Sequence, residues 1–165
     1  MAKPYRNATT IIGIMTLFAV IGIIVGLLIH SPLVILVFLL PTVIYEVYRT
    51  EGETTKLSSF VLLAIYILEI IAIVFSIDFD LIKYFGVEEK WVAGYEVPLG
   101  DIKVVGPTIM AILSVVLFTR TYGKYTKWLA AIIFFSSFAV IYALDQSLFE
   151  RLIKFMIEEG LNRVA

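Results

Sequence analysis

The chain has 165 residues, 61% of them apolar and 16% charged, and its mean hydropathy is +0.98. Soluble domains have roughly 45–50% apolar and about 25% charged residues, so this composition excludes an ordinary soluble domain and indicates a membrane protein. The 13 Lys and Arg residues are balanced by 14 Asp and Glu, which leaves no basic field to bind nucleic acid. With no Cys and one His, Fe–S clusters and thiolate metal sites are excluded, and we expect no cofactor. The few amide side chains, Asn7, Gln146 and Asn162, are typical of heat-adapted proteins.

Five apolar runs are long enough to cross a bilayer as helices. A hydrocarbon core about 30 Å thick needs about 20 apolar residues in a helix. Backbone polar groups have no partners in lipid, and these runs do not alternate in polarity as barrel strands do, so each run predicts a helix. We therefore predict an all-α integral membrane protein in which one domain, 1–165, forms a bundle of five transmembrane helices. The predicted spans are Thr9–Ile29, Leu33–Tyr48, Phe60–Ile77, Val104–Thr119 and Thr126–Leu144.

The connection between the first two spans is very short. Only His30, Ser31 and Pro32 separate them, which forces an antiparallel helical hairpin, and Pro32 is typical of a first helical position. We expect His30 to have a capping or interfacial role rather than to bind a metal. Gly22 and Gly26 form a GxxxG pattern on span one, which lets another helix approach closely. Its simplest partner is span two of the same chain, and a second chain is the alternative.

The longest connection, 78–103, has strand-forming character. Its β-prone stretches 91–97 and 101–105 are separated by Pro-Leu-Gly at 98–100, which predicts a short extracytoplasmic β-hairpin. Its aromatic residues fit an interfacial belt better than the alternative, a surface for a protein partner. These residues are Tyr84, Phe85, Trp91 and Tyr95.

The segment after the last span predicts one more helix. Ser147 and Glu150 have capping-box spacing, and apolar residues follow on one side, so we expect an amphipathic helix over 147–159. This helix either lies in the membrane interface or docks on a neighbouring chain.

Basic residues predict the orientation in the membrane. Lys and Arg are about equally numerous on the two sides, but the side with the N-terminus has them in short segments with few acids, so we expect a cell-membrane protein with a cytoplasmic N-terminus and an outer C-terminus. A cluster at the turn between spans four and five would anchor the chain to anionic lipid. It contains Arg120, Lys124, Lys127 and Trp128.

Glu69 is the most informative polar residue, because it lies near the middle of the predicted third span. An acid there costs about 2.5–3.5 kcal/mol on insertion scales, so it should face the protein interior. Tyr66, Ala72, Ser76 and Asp80 share its helical stripe. With no Lys or Arg at its depth, we expect Glu69 to be neutral and hydrogen-bonded. Polar residues near the centres of other spans could assist it in a proton or ion relay: Thr16, Ser114, Ser136 and Ser137, together with Tyr66.

A catalytic or metal role has weaker support. Asp78, Asp80 and Asp145 lie at the outer ends of spans three and five, and the first two form a D-x-D pattern that could bind a divalent ion. Acidic residues at helix ends are mostly solvated, so we expect neither a catalytic residue nor a metal site.

Two functions follow from these patterns. The first is a non-catalytic subunit or scaffold that packs against other membrane chains or forms a homo-oligomer. The second is a small proton- or cation-coupled transporter or channel-like protein that uses Glu69. We favour the first, because one acid without a basic partner provides few of the ionisable groups from which an ion pathway is built.

Overall fold

The computed structural model describes residues 7–77, 91–92, 95–96, 102–147, 149–150, 154 and 157. Within them, five helices are long and apolar enough to span a membrane, which confirms the predicted number. The helices are α1 (Ala8–Leu28), α2 (Pro32–Arg49), α3 (Glu53–Val74), α4 (Ile102–Arg120) and α5 (Lys124–Leu144). Two short strands, β1 (Trp91–Val92) and β2 (Tyr95–Glu96), come between α3 and α4 in the chain.

The turn between α1 and α2 is a Schellman motif. His30 has a φ of 50°, the left-handed conformation that such motifs place just after the helix. The Ser31 N–H donates to the Gly26 carbonyl at 2.9 Å, and the His30 N–H donates to Leu27 at 3.3 Å. Pro32 then begins α2 at its first position. His30 therefore has the capping position expected from the sequence.

The third helix begins at Glu53, seven residues before the start of the predicted span, and ends at Val74, three residues before the end of that span. Gly52, with a φ of 102°, is its N-cap, and the Lys56 N–H donates to the Gly52 carbonyl at 2.8 Å. At the other end, Ser76 has a φ of 50° and the Ile77 N–H donates to Ala72 at 2.9 Å. Backbone caps, rather than the limits of the apolar run, set both ends of this helix.

The strand pair differs from the predicted hairpin. β1 and β2 pair antiparallel, with Val92 opposite Tyr95. The predicted second strand over 101–105 is wrong, because the chain is helical from Ile102 onward. Val104 has high strand propensity, but it is buried beside Ile141 of α5, and such packing overrides local preference. The predicted belt of Tyr84, Phe85, Trp91 and Tyr95 depends on side chains outside the described residues.

Four helices form a ring and the fifth lies beside it. Each helix of the ring packs against the next, in the order α2, α3, α4 and α5, and α5 closes on α2. α1 packs against α2 and α5 from outside. Most of α1 is exposed, with apolar side chains such as Leu17 and Leu28. An apolar outer surface of this extent is typical of a protein surrounded by lipid.

The GxxxG pattern is used inside the chain. Gly22 lies against Phe38 of α2, and Gly26 lies against Ile35 of the same helix. A Cβ at either glycine would overlap these side chains. The expected contact between spans one and two is therefore confirmed.

Residues after α5 begin another helical segment. Asp145, rather than the expected Ser147, caps it: Asp145 Oδ1 accepts from the Ser147 N–H at 2.9 Å. The backbone is helical at 146–147, 149–150, 154 and 157, and the rest of the predicted 147–159 helix lies outside the described residues. The Phe149 ring lies 5.3 Å from that of Tyr142 and 6.4 Å from that of Phe138. This first turn therefore packs on α5 of the same chain.

Candidate functional site

Polar side chains are buried inside the ring of four helices, among residues such as Leu39, Leu62 and Ile133. Every helix of the ring contributes at least one of them. They are Thr42 and Glu46 of α2, Ser59 and Glu69 of α3, Ser114 of α4, and Ser136 and Ser137 of α5, each 0–2% exposed. A buried polar group is expensive unless it is hydrogen-bonded, so the partners of each group matter.

Glu46 is the acid that the sequence analysis missed. Its Oε1 accepts hydrogen bonds from Thr50 Oγ1 at 2.5 Å and from Ser59 Oγ at 2.9 Å. Because Ser59 belongs to α3, the carboxylate joins two helices of the ring. The second span was treated as an apolar run, although Thr42, Glu46 and Thr50 recur at a spacing of four residues. That spacing puts three polar groups on one helix face, and it was the available signal.

Three buried oxygens inside the ring have no hydrogen-bond partner within the described part of the chain. They are Glu46 Oε2, Thr42 Oγ1 and Ser136 Oγ. Thr42 lies one turn from Glu46 on the same helix, and Ser136 belongs to α5, which packs against α2. A buried polar atom left unpaired costs about 1–3 kcal/mol. These oxygens therefore offer places where a proton, a water or a small cation would gain contacts.

Glu69 is buried, as the helical stripe predicted. It is 2% exposed, and its stripe neighbours Tyr66 and Ala72 are buried with it. Ser76 is exposed because α3 ends before it, and Asp80 lies outside the described residues. Glu69 is the 17th of the 22 residues of α3, so it lies beyond the middle of the helix.

The carboxylate of Glu69 packs against Gly106 of α4, where an added Cβ would overlap it. Gly106 is the fifth residue of α4, so the acid lies beside the N-terminal turns of that helix. This end of a helix is the positive end of its dipole and favours a nearby carboxylate. The sequence analysis did not single out Gly106, because nothing along the chain relates it to Glu69.

The predicted relay hydroxyls do not donate to Glu69. Tyr66 donates instead to the Leu36 carbonyl of α2. Ser136 is among the unpaired groups, and the remaining hydroxyls donate within their own helices, Ser114 to Ala111 at 2.7 Å, Ser137 to Ile133 at 2.8 Å and Thr16 to Ile12 at 2.7 Å. Thr16 belongs to α1 and lies outside the ring, so it is separated from the other four.

Tyr66 bonds to the backbone of α2 five residues before Pro41. A proline inside a helix has no N–H for the carbonyl four residues earlier, which here belongs to Val37. The Tyr66 hydroxyl donates not to this carbonyl but to the preceding one, that of Leu36. This bond is a second link between α2 and α3.

The predicted anchor residues surround the α4–α5 turn. Arg120 ends α4 and Lys124 begins α5. Lys124 Nζ lies 5.1 Å from the centre of the Tyr125 ring, and Lys127 Nζ lies 5.7 Å from that of Phe118. The fourth residue, Trp128, is 54% exposed and donates through Nε1 to Thr16 at 3.0 Å.

The candidate metal ligands are not brought together in the described residues. No group of three His, Asp or Glu side chains able to hold a metal occurs there. Asp78 and Asp80 lie outside the described part of the chain. Asp145 accepts hydrogen bonds from Ser147.

Comparisons with protein-family models, with curated proteins and with solved structures gave no match. The five long apolar helices suggest a multi-pass membrane protein with a helical bundle. Any more specific function has to be inferred from the buried polar residues themselves.

Proposed function

We propose that this chain is a membrane protein that carries protons or a small cation through its ring of four helices, with Glu46 and Glu69 as the ion-binding residues. The observation that carries the proposal is the burial of Glu46, with hydroxyls on one carboxylate oxygen and no hydrogen-bond partner within the described residues on the other. Acids inside membrane helices are rare and commonly mark proton or ion pathways.

The chemistry of the Glu46 site suits a small hard ion. When the carboxylate is ionised, Oε2 is a ligand for a cation, and the Thr42 hydroxyl, one turn away on the same helix, is an oxygen donor of the kind that such cations prefer. When the group is protonated on Oε2, it becomes a hydrogen-bond donor. One carboxylate can therefore exist in two states without a rearrangement of Thr50 or Ser59.

The two acids are separated along the bundle. Ser59 contacts Glu46, and Glu69 lies ten residues further along α3, which corresponds to about 15 Å along the helix axis. This is about half the thickness of a hydrocarbon core of about 30 Å. We infer two separate ion-binding stations, that is, positions where the ion binds to a carboxylate. Glu46 lies towards the end that holds the α2–α3 connection, and Glu69 lies towards the opposite end.

The orientation in this proposal remains the one expected from the sequence. The end that holds the α2–α3 connection also carries the basic α4–α5 turn, so Glu46 would be the station nearer the cytoplasm. The multi-pass chain would lie in the cell membrane, with its N-terminus inside and its C-terminus outside.

The alternative is a non-catalytic subunit or scaffold that packs against other membrane chains. Three sequence features supported this alternative, because each could contact another chain: the GxxxG face, the outer hairpin and the tail helix. Gly22 and Gly26 are occupied by α2 of the same chain, and Phe149 packs on α5. The first support is therefore lost and the third is weakened, which is why we place ion transport first. Native mass spectrometry of the gently solubilised chain would favour the alternative if other chains remain bound.

Ion transport is tested with the full chain in lipid vesicles that contain a pH-sensitive dye. A membrane potential set with potassium and valinomycin drives proton entry, and a parallel assay with a sodium-sensitive dye measures sodium entry. We expect flux above that of protein-free vesicles. Glu46→Gln and Glu69→Gln should each lower the flux at least tenfold, because a side-chain amide does not exchange protons as a carboxylic acid does.

The matched control is Glu53→Gln, which removes an exposed acid from the first turn of α3. It should retain the flux of the unchanged chain. Flux equal to that of empty vesicles, or full flux in both buried variants, would refute the proposal. Each variant is first compared with the unchanged chain by thermal unfolding, so that loss of folding is distinguished from loss of transport.

A further inference from the structure

A groove runs along the outside of the bundle between α1 and α5. It encloses about 740 Å³ and is lined mainly by apolar groups. Its walls include Thr9, Gly13, Thr16 and Val20 of α1, with Lys124 and Trp128 of α5. From Thr9 to Val20 the groove covers about 17 Å of helix axis, about the thickness of one leaflet of the hydrocarbon core.

One end of the groove is polar and basic. The Thr9 hydroxyl is hydrogen-bonded to the Tyr125 hydroxyl at 2.8 Å. Lys124, the first residue of α5, precedes Tyr125 and lies at the same end of the groove. Deeper in the groove, Trp128 Nε1 donates to the Thr16 hydroxyl at 3.0 Å. The polar end therefore has a positive charge and hydroxyl groups, and the rest is suited to a hydrocarbon chain.

We propose that this groove binds one anionic glycerophospholipid, with an acyl chain between α1 and α5 and the phosphate at Lys124. Charge complementarity supports this occupant. Lys127 follows within one turn, and none of the described residues that line the groove is acidic. Gly13 leaves room for the chain, since an added Cβ there meets no described atom within 4 Å.

The test is native mass spectrometry of the full chain titrated with phosphatidylglycerol or phosphatidylcholine. We expect phosphatidylglycerol to bind more tightly. Lys124→Gln should lower its affinity about fivefold, the effect typical of one lost basic residue near an anionic lipid. Gly13→Leu should weaken binding of both lipids, because the new side chain would occupy the space of the acyl chain.

Two control variants match these changes in charge and in size. Lys56→Gln removes an exposed lysine from the first turns of α3, and Ala64→Leu places the same leucine side chain at an exposed position of that helix. Both should bind phosphatidylglycerol like the unchanged chain. Equal affinity for the two lipids, unchanged binding in Gly13→Leu, or an equal loss in Lys56→Gln would overturn the proposal. If Gly13→Leu fails to fold, the comparison of the two lysine variants decides.

Discussion

Ser59 of α3 donates a hydrogen bond of 2.9 Å to the buried carboxylate of Glu46 on α2. The two residues are 13 positions apart, and they meet because a short connection folds the two helices against each other. Thr50 donates to the same oxygen from one turn beyond the acid. The carboxylate therefore joins the ends of two helices and is also the central residue of the proposed ion site.

The first prediction concerns this link. Ser59→Ala should lower the free energy of unfolding by about 1–3 kcal/mol, because it removes a donor from a buried carboxylate. For a chain of this size, 1 kcal/mol corresponds to roughly 2–4 °C in the melting temperature. Thermal unfolding in one fixed detergent measures the change. Ser58→Ala is the control, because the hydroxyl of the half-buried Ser58 makes a solvent-exposed hydrogen bond, to the Thr54 carbonyl. Equal melting temperatures for the two variants would contradict the prediction.

The second prediction concerns the packing of Glu69. Gly106→Ala should destabilise the chain by about 1–3 kcal/mol, because the new methyl group overlaps the Glu69 carboxylate. The cost should be smaller when Glu69 is also replaced by Ala, since the two positions are in contact. Thermal unfolding of the two single variants and the double variant measures this coupling. Gly13→Ala, at an open position, should cause no loss of stability. Additive effects of Gly106→Ala and Glu69→Ala on the free energy of unfolding would argue against the contact.

The third prediction concerns the seam between α1 and α2. Gly22→Ala and Gly26→Ala should each destabilise the chain by about 1–3 kcal/mol, because Phe38 and Ile35 occupy the space of the added methyl groups. The oligomeric state should not change, because this contact lies within one chain. Thermal unfolding and native mass spectrometry of the same samples measure both quantities. Loss of an oligomer with unchanged stability would show that the seam joins two chains.

The fourth prediction concerns the turn after α1. His30→Gly should stabilise the chain by about 1 kcal/mol, because His30 has a left-handed backbone conformation that glycine adopts without strain. His30→Ala should give no such gain, since alanine has the same steric conflict. The melting temperatures of the two variants test this difference. A gain in both variants would mean that the imidazole, rather than the backbone, is unfavourable there.

Some of the site could be predicted from the sequence. Glu69 was predicted to be buried because a carboxylate is too costly in lipid, and the spacing of Tyr66 and Ala72 gave its direction. Glu46 was missed, because an acid near the end of an apolar run can also reach the interface. Its burial depends on Ser59, which only the pairing of α2 with α3 brings to it.

The sequence alone determined that this is a bundle of five long apolar helices, because apolar length and the need to pair backbone groups leave few other solutions. It also indicated the turn at His30 and the pairing of the first two helices, since both depend on neighbouring residues. Only the tertiary structure decided that Glu69 packs against Gly106, that the Glu46 carboxylate is shared by two helices, and that α1 leaves a groove beside α5. These features depend on which helix faces become neighbours, and that choice is made by packing of the whole chain rather than by any local pattern.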